Sequence, residues 1–227
     1  MGIIKDRSFC PNCQKMIKWY DNIPLLSFII LKAQCRNCSV DISWNYFLVE
    51  LIAAISFVVI FYFFGISFTT LLFFILNICF IVIFFIDLKH FIIPNEITYP
   101  LMAIGFLKSF DPNLNTNLFP NFLNSLIGGL FGFAIIWLII FIYKKLRNKE
   151  GMGLGDAKLL SAMGFWFGWV SIPFIIFFSS AIALLSVIPD LIKNKKKLSS
   201  QIPFGPHLII GNVIFITLIN QIKLFLI

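Results

Sequence analysis

The sequence predicts an all-α polytopic membrane protein of about seven transmembrane helices, preceded by a small polar domain at the N-terminus. Three observations predict it. Of the 227 residues, 59% are hydrophobic and 12% charged, against about 45–50% and about 25% in an average soluble domain. The mean hydropathy is +0.95, and Phe alone supplies 29 residues, mostly in runs with Ile and Leu. From Tyr46 onward the chain is a succession of apolar runs, whereas residues 1–45 form the only sizeable polar block and hold four of the five cysteines. This composition excludes a soluble enzyme, a disordered tail and a secreted disulfide miniprotein.

The apolar runs place candidate spans at about 46–64, 71–86, 97–110, 122–143, 157–170, 172–190 and 204–226. Two of them, 97–110 and 157–170, are short for a ~30 Å hydrocarbon core. Charge decides whether they cross. The 1–45 block carries Lys5, Arg7, Lys15, Lys18, Lys32 and Arg36, and Lys89 follows the second span. The later basic groups are Lys144, Lys145, Arg147 and Lys149, then Lys193, Lys195, Lys196 and Lys197. The intervening loops 65–70, 111–121 and 169–173 carry no Lys or Arg. Seven spans with a cytoplasmic N-terminus put every basic loop inside, and omitting either short span breaks that pattern.

The formal net charge of +8 therefore reads as an orientation signal, because the basic residues lie between apolar spans and form no separate nucleic-acid-binding domain. Residues 1–20 are polar and lack the apolar stretch of a cleavable signal peptide. Gly128 and Gly132 form a Gly-x-x-x-Gly step in the fourth span, which predicts close helix packing there.

Cys10-Pro-Asn-Cys13 and Cys35-Arg-Asn-Cys38 are two C-x-x-C knuckles separated by 21 residues. That spacing lets both thiolates of a knuckle reach one metal at about 2.3 Å, and two knuckles complete a tetrahedron. A cytosolic location disfavours disulfides. A redox dithiol pair would need a βαβ context that this sequence lacks, and four incidental cysteines would need no paired spacing. The expected ligand is a structural zinc ion, which folds a small domain and leaves no open coordination position. Cys79, inside an apolar run, is expected to pack.

Carboxylates embedded in a membrane are costly, so they mark function by default. Glu50 and Asp190 lie near cytoplasmic helix ends, where snorkelling or hydration suffices. Asp87 directly follows an unbroken apolar run, in Ile86-Asp87-Leu88-Lys89-His90. Asp156 lies in Gly151-Met152-Gly153-Leu154-Gly155-Asp156-Ala157-Lys158-Leu159. Glycines at alternate positions permit close approach of another chain. In a membrane such backbone is tolerated where it is buried in protein or lines a wet cavity. The seven-span topology puts Asp87 and Asp156 on one side. Two carboxylates sharing a low-dielectric site hold one proton between them, a pair able to activate water against a peptide carbonyl and protonate the departing amine. Composition alone equally allows each to be a hydrated helix-end acid.

Together these residues resemble the type IV prepilin peptidases, bacterial membrane aspartic peptidases with a Gly-x-Gly-Asp motif. The resemblance runs through Cys10-x-x-Cys13, Trp19-Tyr20-Asp21-Asn22-Ile23-Pro24, Cys35-x-x-Cys38 and Ile42-Ser43-Trp44. It continues through Asp87 with Pro94, Gly151 to Leu159, and Pro203-Phe204-Gly205-Pro206. It implies that Asp87 and Asp156 are catalytic, with Gly153, Gly155 and Lys158 supporting the motif. It also implies cleavage of the basic leader of prepilins or pseudopilins at the cytoplasmic face of the bacterial inner membrane, after Gly and before an apolar helix that often starts with Phe. The division would be 1–45, a cytoplasmic zinc-binding domain, and 46–227, a transmembrane aspartic peptidase domain. Many members also methylate the new N-terminal amine with S-adenosylmethionine, an activity associated with the cysteine-containing domain.

Three features depart from the family pattern, and a nearby histidine has two readings. Members usually carry a further helix before the first knuckle, whereas Met1 lies nine residues before Cys10, so that helix is expected to be missing. Asn95 stands where an Asp is common. His207 replaces an aromatic or aliphatic residue and is expected to be an interfacial polar group. His90, near Asp87, reads either as a tuner of the dyad or as a surface histidine at a helix end. Two other function classes compete with the peptidase: a catalytically degenerate zinc-anchored assembly factor, and a transporter with paired intramembrane acids. Retention of both aspartates and the glycine motif argues against the first, and the lack of repeat symmetry against the second.

Overall fold

The computed structural model describes residues 8–114, 118–147, 151–192 and 202–226. Among them there are eight α-helices and no extended strand, only two isolated β-bridges, Phe9–Met16 and Gln34–Asp41. The all-α expectation is met. The chain divides into two compact units, Met1–Ile78 and Cys79–Ile227, with the division falling inside one helix.

The first unit opens with the knuckles. A short 3-10 turn, Trp19–Asn22, and helix α1 (Leu26–Ile30) lie between them. Arg36, between the second pair of cysteines, grips Asp21 through two parallel bonds, Nε to Oδ2 at 2.8 Å and Nη2 to Oδ1 at 2.6 Å. Helix α2 (Trp44–Phe64) starts where the Ser43 hydroxyl accepts the Asn45 N–H at 3.3 Å, an N-cap. It ends at Gly65, whose φ of +59° suits glycine. Its residue Glu50 is half-buried, and its Oε2 accepts the Leu25 N–H at 2.8 Å. Phe28, Trp44 and Phe47 cluster with ring centroids 5.1–5.8 Å apart, joining α1 to α2.

Helix α3 (Phe68–His90) is capped by Ser67, whose hydroxyl accepts the Thr70 N–H at 3.1 Å. Within the first unit α2 and α3 are joined by Asn77 Nδ2 donating to Ser56 Oγ at 2.8 Å and by the Phe57–Phe74 and Phe64–Phe73 ring pairs, both at 4.7 Å. No residue of α2 is buried, the pattern of a helix whose apolar surface faces lipid.

The second unit holds the C-terminal part of α3 and helices α4 (Asn95–Leu107), α5 (Phe122–Arg147), α6 (Leu154–Phe167), α7 (Ser171–Ile192) and α8 (Gly205–Leu226). Helix α6 is its axis. Ala157, Leu159, Leu160, Ala162, Met163 and Trp166 have no exposed surface, and α4, α5, α7 and α8 all pack on it. The most extensive pairing, α5 with α6, is built on small residues. A methyl group placed on Gly128 would lie 2.5 Å from the Gly164 carbonyl oxygen, and one on Gly132 would lie 2.8 Å from that of Leu160. The seam also carries Ser125 Oγ to Phe165 O at 2.7 Å and Ser161 Oγ to Gly129 O at 2.8 Å. Backbone approach with interhelical hydrogen bonds is how helices associate where lipid is as apolar as the side chains. The Gly128-x-x-x-Gly132 step is thus a packing device.

At the far end of α6 from Asp156, Lys108 is buried, donates from Nζ to the Trp166 carbonyl at 2.9 Å, and lies 3.9 Å from the Phe119 ring centroid. It supplies a donor to a carbonyl at the C-terminal end of α6, where the last carbonyls have no helical N–H partner.

Among the described residues, α2, α3, α5 and Ser171–Ile188 of α7 are long and apolar enough to cross a membrane, and Gly205–Ile219 of α8 is a shorter apolar stretch. Helices α4 and α6, with 13 and 14 residues, span roughly 20 Å at 1.5 Å per residue. The seven apolar runs of the sequence correspond to the seven helices α2 to α8. Lys149 and the Lys193–Lys197 group lie outside the described residues, as does the side chain of Asp190.

Candidate active site and metal centre

The two knuckles are near copies of one another. In the first, Cys10 N–H donates to Lys15 O at 3.0 Å and Gln14 N–H to Cys10 O at 2.8 Å. In the second, Cys35 N–H donates to Val40 O at 2.9 Å and Ser39 N–H to Cys35 O at 2.9 Å. Gln14 and Ser39, each just after the second cysteine of its pair, both take positive φ, +56° and +55°. This tight turn folds each C-x-x-C so that both sulfurs face the same way.

The ligand atoms of Cys10, Cys13, Cys35 and Cys38 all lie within 4.8 Å of one another, and Cys10 Sγ is 3.8 Å from Cys38 Sγ. Four thiolates at about 2.3 Å around a tetrahedral ion would be about 3.8 Å apart, so the cluster fits a metal ion. The cysteines are free, not disulfide-bonded. The backbone N–H groups of Asn37 and Cys38 stabilise the Cys35 thiolate and draw its pKa down to about 6. Cys13 is held up at about 11: the Lys15 N–H favours its thiolate, but burial and the other three sulfurs outweigh that. Such a set ionises fully when a cation offsets the mutual repulsion.

The second unit brings the two aspartates together. Asp87 sits in the last turn of α3, 4% exposed. The helix stops three residues later because Phe91 turns left-handed, φ +57°, with its N–H on the Asp87 carbonyl at 2.9 Å. Asp156 is the third residue of α6, 8% exposed. Its Oδ2 accepts the Gly153 N–H at 3.2 Å, and its own N–H donates to the Gly153 carbonyl at 3.2 Å. Half a capping box thus aims this carboxylate back along the helix entry. Both aspartates border one buried side chain, since Ile93 lies against Gly155, next to Asp156, and against Gly205, which is bonded to Asp87.

The glycines differ in what they make room for. A methyl on Gly155 would come 2.9 Å from Ile93 Cβ, whereas one on Gly153 would meet only Asp156 Oδ2 at 3.6 Å. Ile93, buried in the connection from α3 to α4, is also 3.1 Å from where a Gly205 methyl would lie. Gly205 N–H donates to Asp87 Oδ2 at 3.0 Å. Three segments therefore meet around Ile93: the end of α3, the start of α6 and the start of α8. Lys158 reaches outward, donating to Asn95 Oδ1 at 2.7 Å and lying 5.2 Å from the Tyr99 ring centroid. His90 is exposed at the end of α3.

Sequence reasoning quoted the Pro203–Pro206 run without giving it a role, and it read His207 as an interfacial polar group. The structure buries His207 at 9% exposure, with Nδ1 2.9 Å from Pro203 O and Nε2 3.2 Å from Ser186 Oγ. Ile93 and Lys108 were not singled out. A glycine between Phe204 and Pro206 at the start of an apolar run is the one local signal that marked this turn.

Comparison with known proteins gives a consistent picture. A model described as the type IV leader peptidase family matches residues 74–188, and one described as the bacterial peptidase A24 N-terminal domain matches residues 1–64. A prepilin leader peptidase/N-methyltransferase of Aeromonas salmonicida is 36% identical over 213 residues, covering 92% of this chain and 70% of that protein. The protein of that name from Neisseria gonorrhoeae is 33% identical, covering 95% and 72%. The one from Xanthomonas campestris is 37% identical, covering 94% and 73%. No solved structure matches the chain.

Proposed function

Because the chain belongs to the type IV leader peptidase family, we propose that it is an aspartic endopeptidase that removes the leader peptide of type IV prepilins or pseudopilins, with Asp87 and Asp156 as its catalytic pair. The observation that carries the assignment is their convergence: two buried carboxylates from the end of α3 and the start of α6, each within reach of a helix-start N–H. The relatives' names supply the substrate class.

One carboxylate holds a proton and the other does not, since two like charges in one desolvated site do not both ionise. The ionised partner takes a proton from water, whose oxygen attacks the scissile carbonyl; the protonated partner hydrogen-bonds that carbonyl as charge develops. Return of a proton to the amine releases the apolar helix of the substrate. Gly205 N–H and Gly153 N–H hold the two carboxylates during these transfers. Lys158, through Asn95, ties the start of α6 to the start of α4.

Seven crossings with the knuckles and the aspartates at the cytoplasmic face follow from the positive-inside pattern, and the protein acts at the bacterial inner membrane. The four thiolates hold zinc, which braces the knuckle domain and takes no part in hydrolysis. Methylation of the new N-terminal amine with S-adenosylmethionine is the second activity in the relatives' names, and no residue is assigned to it.

The decisive experiment is leader removal from a model prepilin by the full chain in lipid, beside Asp156→Asn, with mass spectrometry of the new N-terminus. Cleavage lost in the variant supports the dyad, and equal cleavage by both overturns it. A mass increment of one methyl group when S-adenosylmethionine is added reports the second activity.

A further inference from the structure

The peptidase chemistry does not by itself explain how the Pro203–His207 turn keeps its aim. That turn presents one N–H to the site. Gly205 is the first residue of α8, its N–H has no acceptor inside the helix, and it donates to Asp87 Oδ2 at 3.0 Å. The backbone of the turn is poorly equipped to hold this direction. Pro203 and Pro206 bring no N–H, and the first helical bond, Leu208 N–H to Phe204 O at 3.0 Å, closes over Gly205 but leaves Pro203 untied.

The imidazole of His207 supplies the missing restraint. Nδ1 lies 2.9 Å from the Pro203 carbonyl oxygen, which only accepts, so Nδ1 carries the hydrogen and donates. This bond closes back across the peptide units that contain Gly205. Nε2, the acceptor of this neutral tautomer, lies 3.2 Å from Ser186 Oγ on α7, whose single hydrogen is shared between Nε2 and the Ala183 carbonyl at 2.7 Å. The ring also stacks on Phe204, centroids 6.4 Å apart at 24°. Side chain, turn and neighbouring helix are thereby joined.

We infer that His207 is a positioning residue for the peptidase reaction: it locks the Pro203–His207 turn between its own carbonyl and Ser186 of α7, so that the Gly205 N–H stays on Asp87. The inference rests on the aspartate-dyad reading above. Its specific content is that the hydrogen bonds of the ring matter, not its bulk. His207→Phe keeps a ring to stack on Phe204 and loses both bonds. In His207→Asn the side-chain N–H₂ occupies about the position of Nδ1, so the bond to Pro203 survives. Ser186→Ala removes the outer tether and leaves the inner one.

The test uses the full chain in lipid nanodiscs with a model prepilin, and amounts of each variant matched for folded protein. His207→Phe is expected to lower kcat about tenfold, since small displacements of a reacting group cost that much or more, with KM within about twofold. His207→Asn restores kcat to within about threefold of wild type, and Ser186→Ala falls between. In parallel, amide exchange read on peptides covering residues 202–210 is expected to quicken at Phe204, Gly205, His207 and Leu208 in His207→Phe, and to remain slow in His207→Asn. A His207→Phe protein with wild-type kcat, a loss that Asn does not rescue, or unchanged exchange in the turn would overturn the inference. If wild type and Asp156→Asn cleave alike, the dyad reading is what has failed, and the exchange measurement still decides whether His207 holds the turn.

Discussion

Gly205 donates its backbone N–H to Asp87 Oδ2 at 3.0 Å, and a methyl group added to Gly205 would lie 2.7 Å from that same oxygen. The carboxylate and the start of α8 are in contact with no space for a side chain between them. Gly205→Ala is therefore expected to displace Asp87 and lower the cleavage rate by at least about tenfold. Membrane insertion and metal content should match wild type. Cleavage at the wild-type rate would show that Asp87 can retreat without cost.

The two glycines of the Gly-x-Gly-Asp motif should respond unequally. Gly155→Ala brings a methyl 2.9 Å from Ile93 Cβ, whereas at Gly153 the nearest atom is 3.6 Å away and φ is −86°. Gly153→Ala should retain most activity. Gly155→Ala should lose most of it, although alanine in a free helix gains about 1 kcal/mol over glycine. The double variant Gly155→Ala/Ile93→Gly removes that Cβ and should recover activity, and steady-state cleavage rates of the four proteins check the pattern.

The thiolate cluster predicts a pH-dependent metal. Binding needs all four sulfurs deprotonated, so protons compete with the ion and affinity falls as pH falls. Cys35, drawn down to about 6, remains ionised through neutral pH, while Cys13, held up at about 11 without metal, sets the energetic cost of loading. Zinc should be retained at neutral pH and released as the pH drops to about 5, read as metal per chain after dialysis. Cys10→Ser/Cys13→Ser should lower the stoichiometry at every pH.

Lys108 tests the far end of α6. Replacing it with Met removes the donor at 2.9 Å from the Trp166 carbonyl and leaves that oxygen without its partner, at a cost of about 1–3 kcal/mol. Lys108→Met should lower the thermal unfolding midpoint while leaving the Asp-dependent cleavage of the folded protein intact. An unchanged midpoint would show that the carbonyl finds another donor.

Much of this protein was legible in its sequence, for reasons that are local. Apolar runs mark helices because each run has to shield its own backbone. The C-x-x-C pairs mark a metal cluster because a turn closed within six residues orients both sulfurs, as the matching bonds at Cys10 and Cys35 show. Asp87 and Asp156 stood out because an acid beside an apolar run is costly. Glu50 was noticed for the same cost and left to snorkelling or hydration; the structure adds the Leu25 N–H from 25 residues earlier.

Tertiary structure alone decided what depends on contacts between distant segments. Nothing local tells that Gly155 and Gly205 both make room around Ile93, that Gly205 addresses Asp87 from 118 residues away, or that His207 is buried. A glycine is silent about which neighbour it admits, and a histidine about which carbonyl it meets. The sequence by itself determined the class, the apolar helices, the thiolate cluster and the two acids, since these follow from spacing and polarity along the chain. The packing of α3, α6 and α8 decided how those acids are held, because an N–H acquires a direction only when helices are assembled.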